Sequence, residues 1–290
     1  MLKKAQSAME YLMTYGWGIL IMAIVIGSLY GLGVFNSFSL TPRAQPGSCQ
    51  VIRPYGYGTG TSTSLSLGGV CTNELPEYVT NFGGSGTITV PATLMPNGNQ
   101  QRTIVVWINP NNEVGNHGIM YYGGVNCVPA GAVFGLILQG SNLYLWGSCN
   151  DVNSYDSIPL NTWSFIAVNY TGTEENMFYD GNPINTQAYS STACNSINCS
   201  YAYIGGENGW WGGQFSGEIA DLQIYNTSLS ANAIKALYLE GIGGDPIDLH
   251  RLVGWWPLNG NANDYSGNSN GSETSGISYT STWINTYTAP

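Results

Sequence analysis

The pattern of hydrophobic and polar positions divides the chain into two parts. From Tyr11 to Phe35 no residue is charged and most are apolar, and about 20 apolar residues in a helix cross the hydrocarbon core of a bilayer. Beyond the linker around TPRAQPGSC the pattern changes to short β-rich runs between Gly, Asn and Pro turns. The chain therefore predicts an N-terminal hydrophobic α-helix followed by a mainly β domain.

The β-rich runs have the length and spacing of strands in an antiparallel sandwich. They are TITV, RTIVVWINP, VFGLILQ, NLYLWG, WSFIAVNYT, MFYDGNPI, YAYIGG and FSGEIADLQIYN. One short helix interrupts them, since Ser230 is a good N-cap for ANAIKALYLEG and Gly241 ends it. Ile234, Leu237 and Tyr238 share one face of this helix.

Charges flank the N-terminal apolar run unevenly. Lys3 and Lys4 precede it and the next basic residue is Arg43, so the positive-inside bias keeps the N-terminus cytoplasmic and sends the rest outside. Glu10 stands at the head of the run, where an unpaired carboxylate is unfavourable. A cleaved secretory signal has a shorter apolar region, and an ordinary membrane anchor fits the length, but neither requires this carboxylate.

The stretch KKAQSAMEYL resembles the class III signal peptide of archaeal type IV pilin-like proteins. In that family a prepilin peptidase cuts just before a Gln and leaves the apolar helix on the mature subunit. The resemblance implies cleavage between Ala5 and Gln6, with Glu10 and Leu12 at the family's spacing. One position departs from the pattern, because Ala8 stands where the family usually has Ser.

The same resemblance implies a partner for Glu10. In type IV pilus-like filaments this carboxylate meets the N-terminal amine of a neighbouring subunit, which here belongs to Gln6. Such a buried pair adds little net stability but penalises any register that separates it; a Glu10 that snorkels toward lipid head groups is the alternative. Gly27 and Gly31 form a small-xxx-small pair that allows helices to approach closely. The predicted assembly residues are Gln6, Glu10, Leu12, Gly27 and Gly31.

Composition is consistent with a domain exposed outside the cell. Only 8% of the residues are charged and the formal net charge is -10, against about 25% charged in an average protein. A chain this acidic does not bind nucleic acid by counterion release. So few charges also change little on acidification, which predicts tolerance of an acidic exterior.

The cysteine count favours three disulfides, because an even number outside the cell is typical of a disulfide framework. Sequential pairing is preferred among the 15 possible connectivities, since each pair closes a local loop. A zinc site is the alternative, but the chain has no CxxC, and His117 and His250 lie far from the pairs. The candidates are Cys49 with Cys71, Cys127 with Cys149, and Cys194 with Cys199.

Four N-x-[ST] sequons are glycan acceptors if they lie on the surface. They begin at Asn169, Asn198, Asn226 and Asn270.

The order of the β-rich runs resembles the LamG-like, concanavalin-type jelly roll. YVTNFGGSGTITVP, RTIVVWINP, WSFIAVNYTG, MFYDGNPI and IGG leading to FSGEIADLQIYNTSLSANAIKALY carry the resemblance over about residues 75 to 240. LVGWWPLNGNANDYSGNSNGS looks like the opening strand of such a domain, yet it follows the helix. Too few residues remain for a second sandwich, so we expect a permuted domain in which this strand folds back.

Catalysis is not expected from this domain. Jelly-roll glycosidases need two carboxylates about 5 to 10 Å apart. Glu218 and Asp221 lie three residues apart, so on a regular strand they face opposite sides, and Gln223 stands where a second acid would be needed. Glu174 and Glu175 are expected to be solvated turn residues.

Aromatic residues favour binding instead. Trp210 and Trp211 stand in the Gly-rich NGWWGG loop, where their faces can stack on sugar rings; packing between filament subunits, or closing the end of the core, is the alternative. Of Trp255 and Trp256, at least one is expected in the core. The Tyr121–Tyr122 pair is expected at the surface.

Calcium is the one cofactor that the sequence suggests. NGNANDYSGN gathers Asn and Asp oxygens around Asp264 in a loop, and concanavalin-type sandwiches often carry calcium. Ordinary turn formation explains the same residues.

Together these features and the two resemblances imply a subunit of an archaeal type IV pilus-like filament with an exposed, lectin-like head for adhesion or surface structure. The predicted divisions are a leader at 1–5, a hydrophobic helix at 6–36, a linker with a disulfide-bearing strand at 37–74 and the jelly roll at 75–290. Expected partners are like or related pilin subunits, the membrane before assembly, the prepilin peptidase and glycans. The alternative is a membrane-anchored carbohydrate-binding surface protein that does not polymerise.

Overall fold

The computed structural model describes residues 17–27, 76–124, 130–195, 199–206, 213–268 and 270–290, together with the backbone of two strands at 49–52 and 62–65. Backbone contacts divide the chain into two compact units, Met1–Gln45 and Pro46–Pro290. The predicted boundaries after residues 5, 36 and 74 lie outside the described residues.

In the first unit, residues 17–27 form a helix, α1, whose side chains are all exposed. The exposed fraction of its large apolar side chains lies between 50%, at Leu20, and 67%, at Met22. Gly18 and Gly27 have no neighbouring atom within 4 Å of the position that a Cβ would occupy. Within the described ranges, no helix is long and apolar enough to cross a membrane.

The second unit is built from antiparallel strands. In chain order they are β1 (Cys49–Ile52), β2 (Ser62–Leu65), β3 (Val79–Gly83), β4 (Ile88–Pro91), β5 (Arg102–Pro110), β6 (Asn116–Gly123), β7 (Val133–Gln139), β8 (Asn142–Trp146), β9 (Val152–Ser157), β10 (Ser164–Tyr170), β11 (Glu174–Tyr179), β12 (Asn182–Ala188), β13 (Tyr201–Ile204), β14 (Ser216–Tyr225), β15 (Leu252–Trp256), β16 (Ser272–Glu273) and β17 (Ile277–Thr280). Helix α2 (Ala231–Glu240) separates β14 from β15, and a 3₁₀ helix (Thr282–Asn285) follows β17.

Two sheets form the sandwich. Sheet 1 has the order β12-β11-β10-β5-β14-β3-β17, with β15 also paired to β14, and sheet 2 has the order β16-β4-β13-β6-β7-β8-β9. Strands β1 and β2 pair separately. This is the mainly β, antiparallel jelly-roll architecture that the sequence predicts.

Strand β5 shows why some strands are apolar along their whole length and do not alternate between apolar and polar residues. Ile104 and Val106 face the central core between the two sheets. Val105 and Trp107, on the opposite face, pack in a second cluster with α2 and the C-terminal segment. Because sheet 1 is covered on both sides here, the strand is buried along its whole length.

Helix α2 forms as its capping residues predict. The Ser230 side chain accepts a hydrogen bond from Ala233 N at 3.2 Å, and Gly241 ends the helix with a φ of 76°. Ile234 and Leu237 are buried against sheet 1.

The stretch after α2 folds back into the same sandwich, as the sequence predicts. Trp255 on β15 pairs with Gln223 on β14, and Ile277 on β17 pairs with Phe82 on β3. Trp256 lies in the central core, and Trp255 is buried as well.

Strand β6 corrects one expectation. Tyr121 and Tyr122, expected at the surface, are 1% and 0% exposed. Because β6 lies between β13 and β7 in sheet 2, Tyr122 joins the central core. Tyr121 packs on the outer face of sheet 2 against Trp146, with ring centroids 5.0 Å apart.

Candidate functional site

The segment that carries Trp210 and Trp211 joins the two sheets at one end of the sandwich. It leaves sheet 2 at Ile204 and enters sheet 1 at Ser216. Both tryptophans lie outside the described residues, but the flanks are well defined. Phe215 N donates to Gly205 O at 2.8 Å, so the ends of the segment are held together.

A buried histidine lies against the second flank. The Nδ1 atom of His117 is 3.2 Å from Gln214 O, and Gly118 N donates to Gly213 O at 2.7 Å. His117 is only 4% exposed, and its Nε2 has no hydrogen-bond partner in the described part of the chain. The flank is therefore fixed by both backbone and side-chain contacts.

Polar groups cluster on the same end of the sandwich. Ser216 Oγ donates to Asn111 Oδ1 at 2.7 Å, and Asn109 Nδ2 donates to Glu218 Oε2 at 2.9 Å. Burial raises the pKa of Glu218, and the hydrogen bond from Asn109 opposes that rise. Val114, in the neighbouring loop, is 79% exposed. A few convergent polar groups beside an apolar side chain are typical of small-molecule binding sites.

The carboxylates of β14 do not follow the geometry of a regular strand. The pairing with β5 shifts between Ala220 and Gln223, and Asp221 has a φ of 48°, so a bulge interrupts the alternation. Glu218 and Asp221 consequently lie on the same side of sheet 1, contrary to the expectation that they face opposite sides.

Asp221 is nevertheless engaged in structural hydrogen bonds. Its Oδ1 accepts from Trp255 Nε1 at 2.8 Å and from Gln223 Nε2 at 3.1 Å. The side chain is 5% exposed. This carboxylate connects β14 to β15 and has little access to a substrate.

The adjacent acids Glu174 and Glu175 have different environments. Glu174 is exposed, as expected, but Glu175 is 0% exposed. The expectation that both are solvated is wrong for Glu175. It lies on β11, on the same side as Met177 of the central core.

In the Asp264 loop, both carboxylate oxygens of Asp264 accept hydrogen bonds from nearby residues. Asp264 Oδ1 accepts from Trp255 N and Ser266 N, both at 2.9 Å, and Oδ2 accepts from Ser266 Oγ at 2.8 Å and Asn268 N at 3.1 Å. No group of three or more His, Cys, Asp or Glu side chains suited to a metal occurs in the described segments. Calcium at Asp264 stays a prediction, and a cation there would have to displace some of these donors.

One of the three predicted disulfides lies within the described residues. Cys194 and Cys199 form a disulfide, with their Cα atoms 5.0 Å apart. Cys149 is disulfide-bonded, while its predicted partner Cys127 lies outside the described residues. Cys71 also lies outside them, and only the backbone of Cys49 is described.

The sequons differ in accessibility. Asn169 is 5% exposed, its Nδ2 donates to Leu229 O at 2.7 Å, and its Oδ1 accepts from Asn176 at 2.7 Å. In the folded domain this side chain is therefore inaccessible to glycosylation. Asn226 is exposed at the bend after β14. Asn270 is exposed as well, but its Oδ1 accepts from Asp264 N at 3.0 Å. Asn198 lies outside the described residues.

The predicted processing and assembly residues fall almost entirely outside the described part. Ala5, Gln6, Glu10, Leu12 and Gly31 are not described, and Gly27 is the last described residue of α1.

Known proteins share this fold. A family model described as the concanavalin A-like lectin/glucanases superfamily matches residues 82–235, and no curated protein matches the sequence. A protein from Bacteroides ovatus ATCC 8483 assigned to carbohydrate binding is similar at 17% identity and a TM-score of 0.57, over 77% of this chain and 64% of that chain. This chain thus spans less than two thirds of that protein.

Two further structures are similar at lower TM-scores. The heptameric SAP-like pentraxin of Limulus polyphemus is 15% identical with a TM-score of 0.46, over 71% of this chain and 95% of its own. The CBM40 of the Ruminococcus gnavus IT-sialidase, bound to α2,3-sialyllactose, is 16% identical with a TM-score of 0.43, over 56% and 97%. Since the matching family model spans more than half of the chain, the protein belongs to the concanavalin A-like lectin/glucanases superfamily.

Proposed function

We propose that this protein is a subunit of a type IV pilus-like filament at the cell surface, with an exposed head that binds carbohydrate. The observation that carries the proposal is α1, whose apolar side chains are uncovered all round, in the same chain as a lectin-type sandwich. A helix that is apolar on every side is stable only when lipid or other helices cover it. In a filament, the helices of neighbouring subunits supply that cover.

The sequence around the apolar run supports assembly rather than simple anchoring. Cleavage before Gln6 by a prepilin peptidase would free an amine that can pair with Glu10 of a neighbour. The alternative, a membrane-anchored carbohydrate-binding protein that does not polymerise, needs no cleavage. Lipid alone would then cover the helix.

Carbohydrate binding without turnover is the proposed role of the head. The family and the similar Bacteroides ovatus protein support a sugar ligand. The involvement of Asp221 in structural hydrogen bonds supports a head that is not an enzyme, because a glycosidase needs two accessible carboxyl groups.

The test is N-terminal sequencing of native surface protein, followed by filament imaging of Glu10→Ala. We expect a mature chain that begins at Gln6, and a Glu10→Ala variant that is exported with a folded head but fails to form ordered filaments. Glu113→Ala, which removes an exposed acid in the head, is the matched control and should assemble normally. An intact Met1 on surface protein, or normal filaments from Glu10→Ala, would contradict the proposal.

A further inference from the structure

Glu175 is a fully buried acid, and only one of its two carboxyl oxygens has a hydrogen-bond partner in the described part of the chain. It lies on β11, between β10 and β12, and faces the central core. Its Oε1 is 3.5 Å from the Asn185 Nδ2 donor. Its Oε2 has no hydrogen-bond partner in the described part of the chain. An ionised carboxylate in this position would lose its hydration without gaining donors, which is costly.

The Asn185 amide connects this carboxyl group to the opposite sheet. Asn185 lies on β12, at the edge of sheet 1, and Asn153 lies on β9, at the edge of sheet 2. The same Nδ2 that approaches Glu175 also donates to Asn153 O at 3.3 Å. One amide therefore bridges the acid in sheet 1 and the backbone of sheet 2 at the side where β9 and β12 meet.

Among the described residues, no charged side chain offsets the effect of burial on Glu175. The titratable or charged side chains on adjoining elements include Tyr170 on β10, Arg102 on β5, Asp156 on β9 and Tyr189 beyond β12. The Arg102 guanidinium donates to the carbonyl groups of Gln100 and Gly98 and to a tyrosine hydroxyl. Burial alone raises the pKa of Glu175, to about 8.

We propose that Glu175, Asn185 and Asn153 form a proton-dependent latch that holds the two sheets together at their β9–β12 side and opens when Glu175 ionises. Opening would take place at β12, since this edge strand is mostly exposed and is paired only to β11 among the described strands. Its displacement brings water to the carboxylate while the rest of the sandwich keeps its pairing.

The direction of the pH effect follows from the raised pKa. Because the pKa of Glu175 is raised in the closed state, its protonated carboxyl group favours that state. This contribution to the stability of the closed state is complete below the ordinary pKa of 4.5. This contribution is lost as the pH rises from 4.5 to about 8. The opening equilibrium constant should therefore increase about tenfold for each pH unit in this window and level off above it.

Hydrogen exchange of the full chain, corrected for the intrinsic pH dependence of exchange, tests the latch. We expect the opening constants of β9 and β12 amides to rise with pH in the wild type and to be independent of pH in Glu175→Gln, which is permanently neutral. Glu174→Gln, which removes the adjacent exposed acid, is the control and should behave as the wild type. The same pH dependence in Glu175→Gln and the wild type would overturn the proposal.

A second measurement keeps the proposal testable if Glu175→Gln does not fold. The side-chain carboxyl carbon of Glu175 can be titrated by NMR in the wild-type protein. A midpoint near pH 8 supports the latch, and a midpoint near 4.5 refutes it.

Discussion

The indole Nε1 of Trp255 donates a hydrogen bond to Asp221 Oδ1, with 2.8 Å between the two atoms and both side chains buried. Trp255 belongs to the strand that follows α2, and Asp221 lies in the bulge of β14. This bond therefore attaches β15 to β14 of sheet 1. Gln223 donates to the same oxygen at 3.1 Å.

Replacing Asp221 should show how much this attachment stabilises the head. Asp221→Ala leaves two buried donors without their acceptor and places Ala at a φ of 48°, so we expect it to lower the free energy of unfolding by about 3 kcal/mol. Asp221→Asn keeps an acceptor oxygen and tolerates this backbone conformation, and should cost about 1 kcal/mol. Urea denaturation measures both.

A double-mutant cycle with Trp255→Phe isolates the hydrogen bond. Because that variant already lacks the indole donor, Asp221→Ala should cost less in its background than in the wild type. Equal costs in the two backgrounds would mean that the bond contributes nothing.

Glycan binding by the head is predicted to depend on Trp210 and Trp211. Stacking of sugars on aromatic faces supplies much of the affinity, so the double alanine variant should lose binding by about tenfold or more on a glycan array. Tyr201→Ala is the matched control, because Tyr201 is an aromatic residue, 52% exposed, at the opposite end of β13.

Three outcomes of the glycan array distinguish the possibilities. Binding that survives the double substitution would place the site elsewhere, for instance at the Asp264 loop. Release of reducing sugar would show that the head is an enzyme. If no glycan binds, subunit packing becomes the role of the two tryptophans, and their substitution should disturb filaments.

Reduction is predicted to destabilise the head. Closing the short loop between Cys194 and Cys199 restricts the unfolded chain by about 2 kcal/mol, so Cys194→Ser should lower the melting temperature, and full reduction should lower it further. Differential scanning calorimetry with and without reductant measures both effects. Free thiols at all six cysteines of secreted protein would contradict this prediction.

Among the sequons, Asn226 is predicted to carry a glycan and Asn169 is predicted to carry none. Asn226 is exposed at a bend, whereas both polar atoms of the buried Asn169 amide are hydrogen-bonded to other residues of the domain. Glycopeptide mass spectrometry of native protein measures occupancy at each site. A glycan on Asn169, or an unmodified Asn226, would contradict the prediction.

The features that were predictable from the sequence depend on nearby residues. Helix α2 needs only a cap at Ser230, an apolar face and a terminal glycine at 241, all within one short segment. The runs that became β5, β7, β10 and β14 are recognisable by their β-branched and aromatic residues.

The features that were missed depend on distant partners. The bulge at Asp221 lies where β14 changes its partner from β3 to β15 while it stays paired with β5, and the local sequence does not indicate this change. Tyr121 and Glu175 are buried because of the strands beside them, although their local sequences resemble those of surface residues. A weak signal existed for Glu175, which is two positions before the apolar Met177 and so shares its face.

The late position of β16 and β17 in the chain has a consequence for biogenesis. These strands pair with β4 and β3, so partners roughly two hundred residues apart in sequence complete an edge of each sheet. While the chain is being synthesised from its N-terminus, these two edges stay unpaired until β16 and β17 have been made. Neither sheet is complete before β16 and β17 have formed, and until then the head depends on whatever keeps the open edges of β3 and β4 from pairing with other chains.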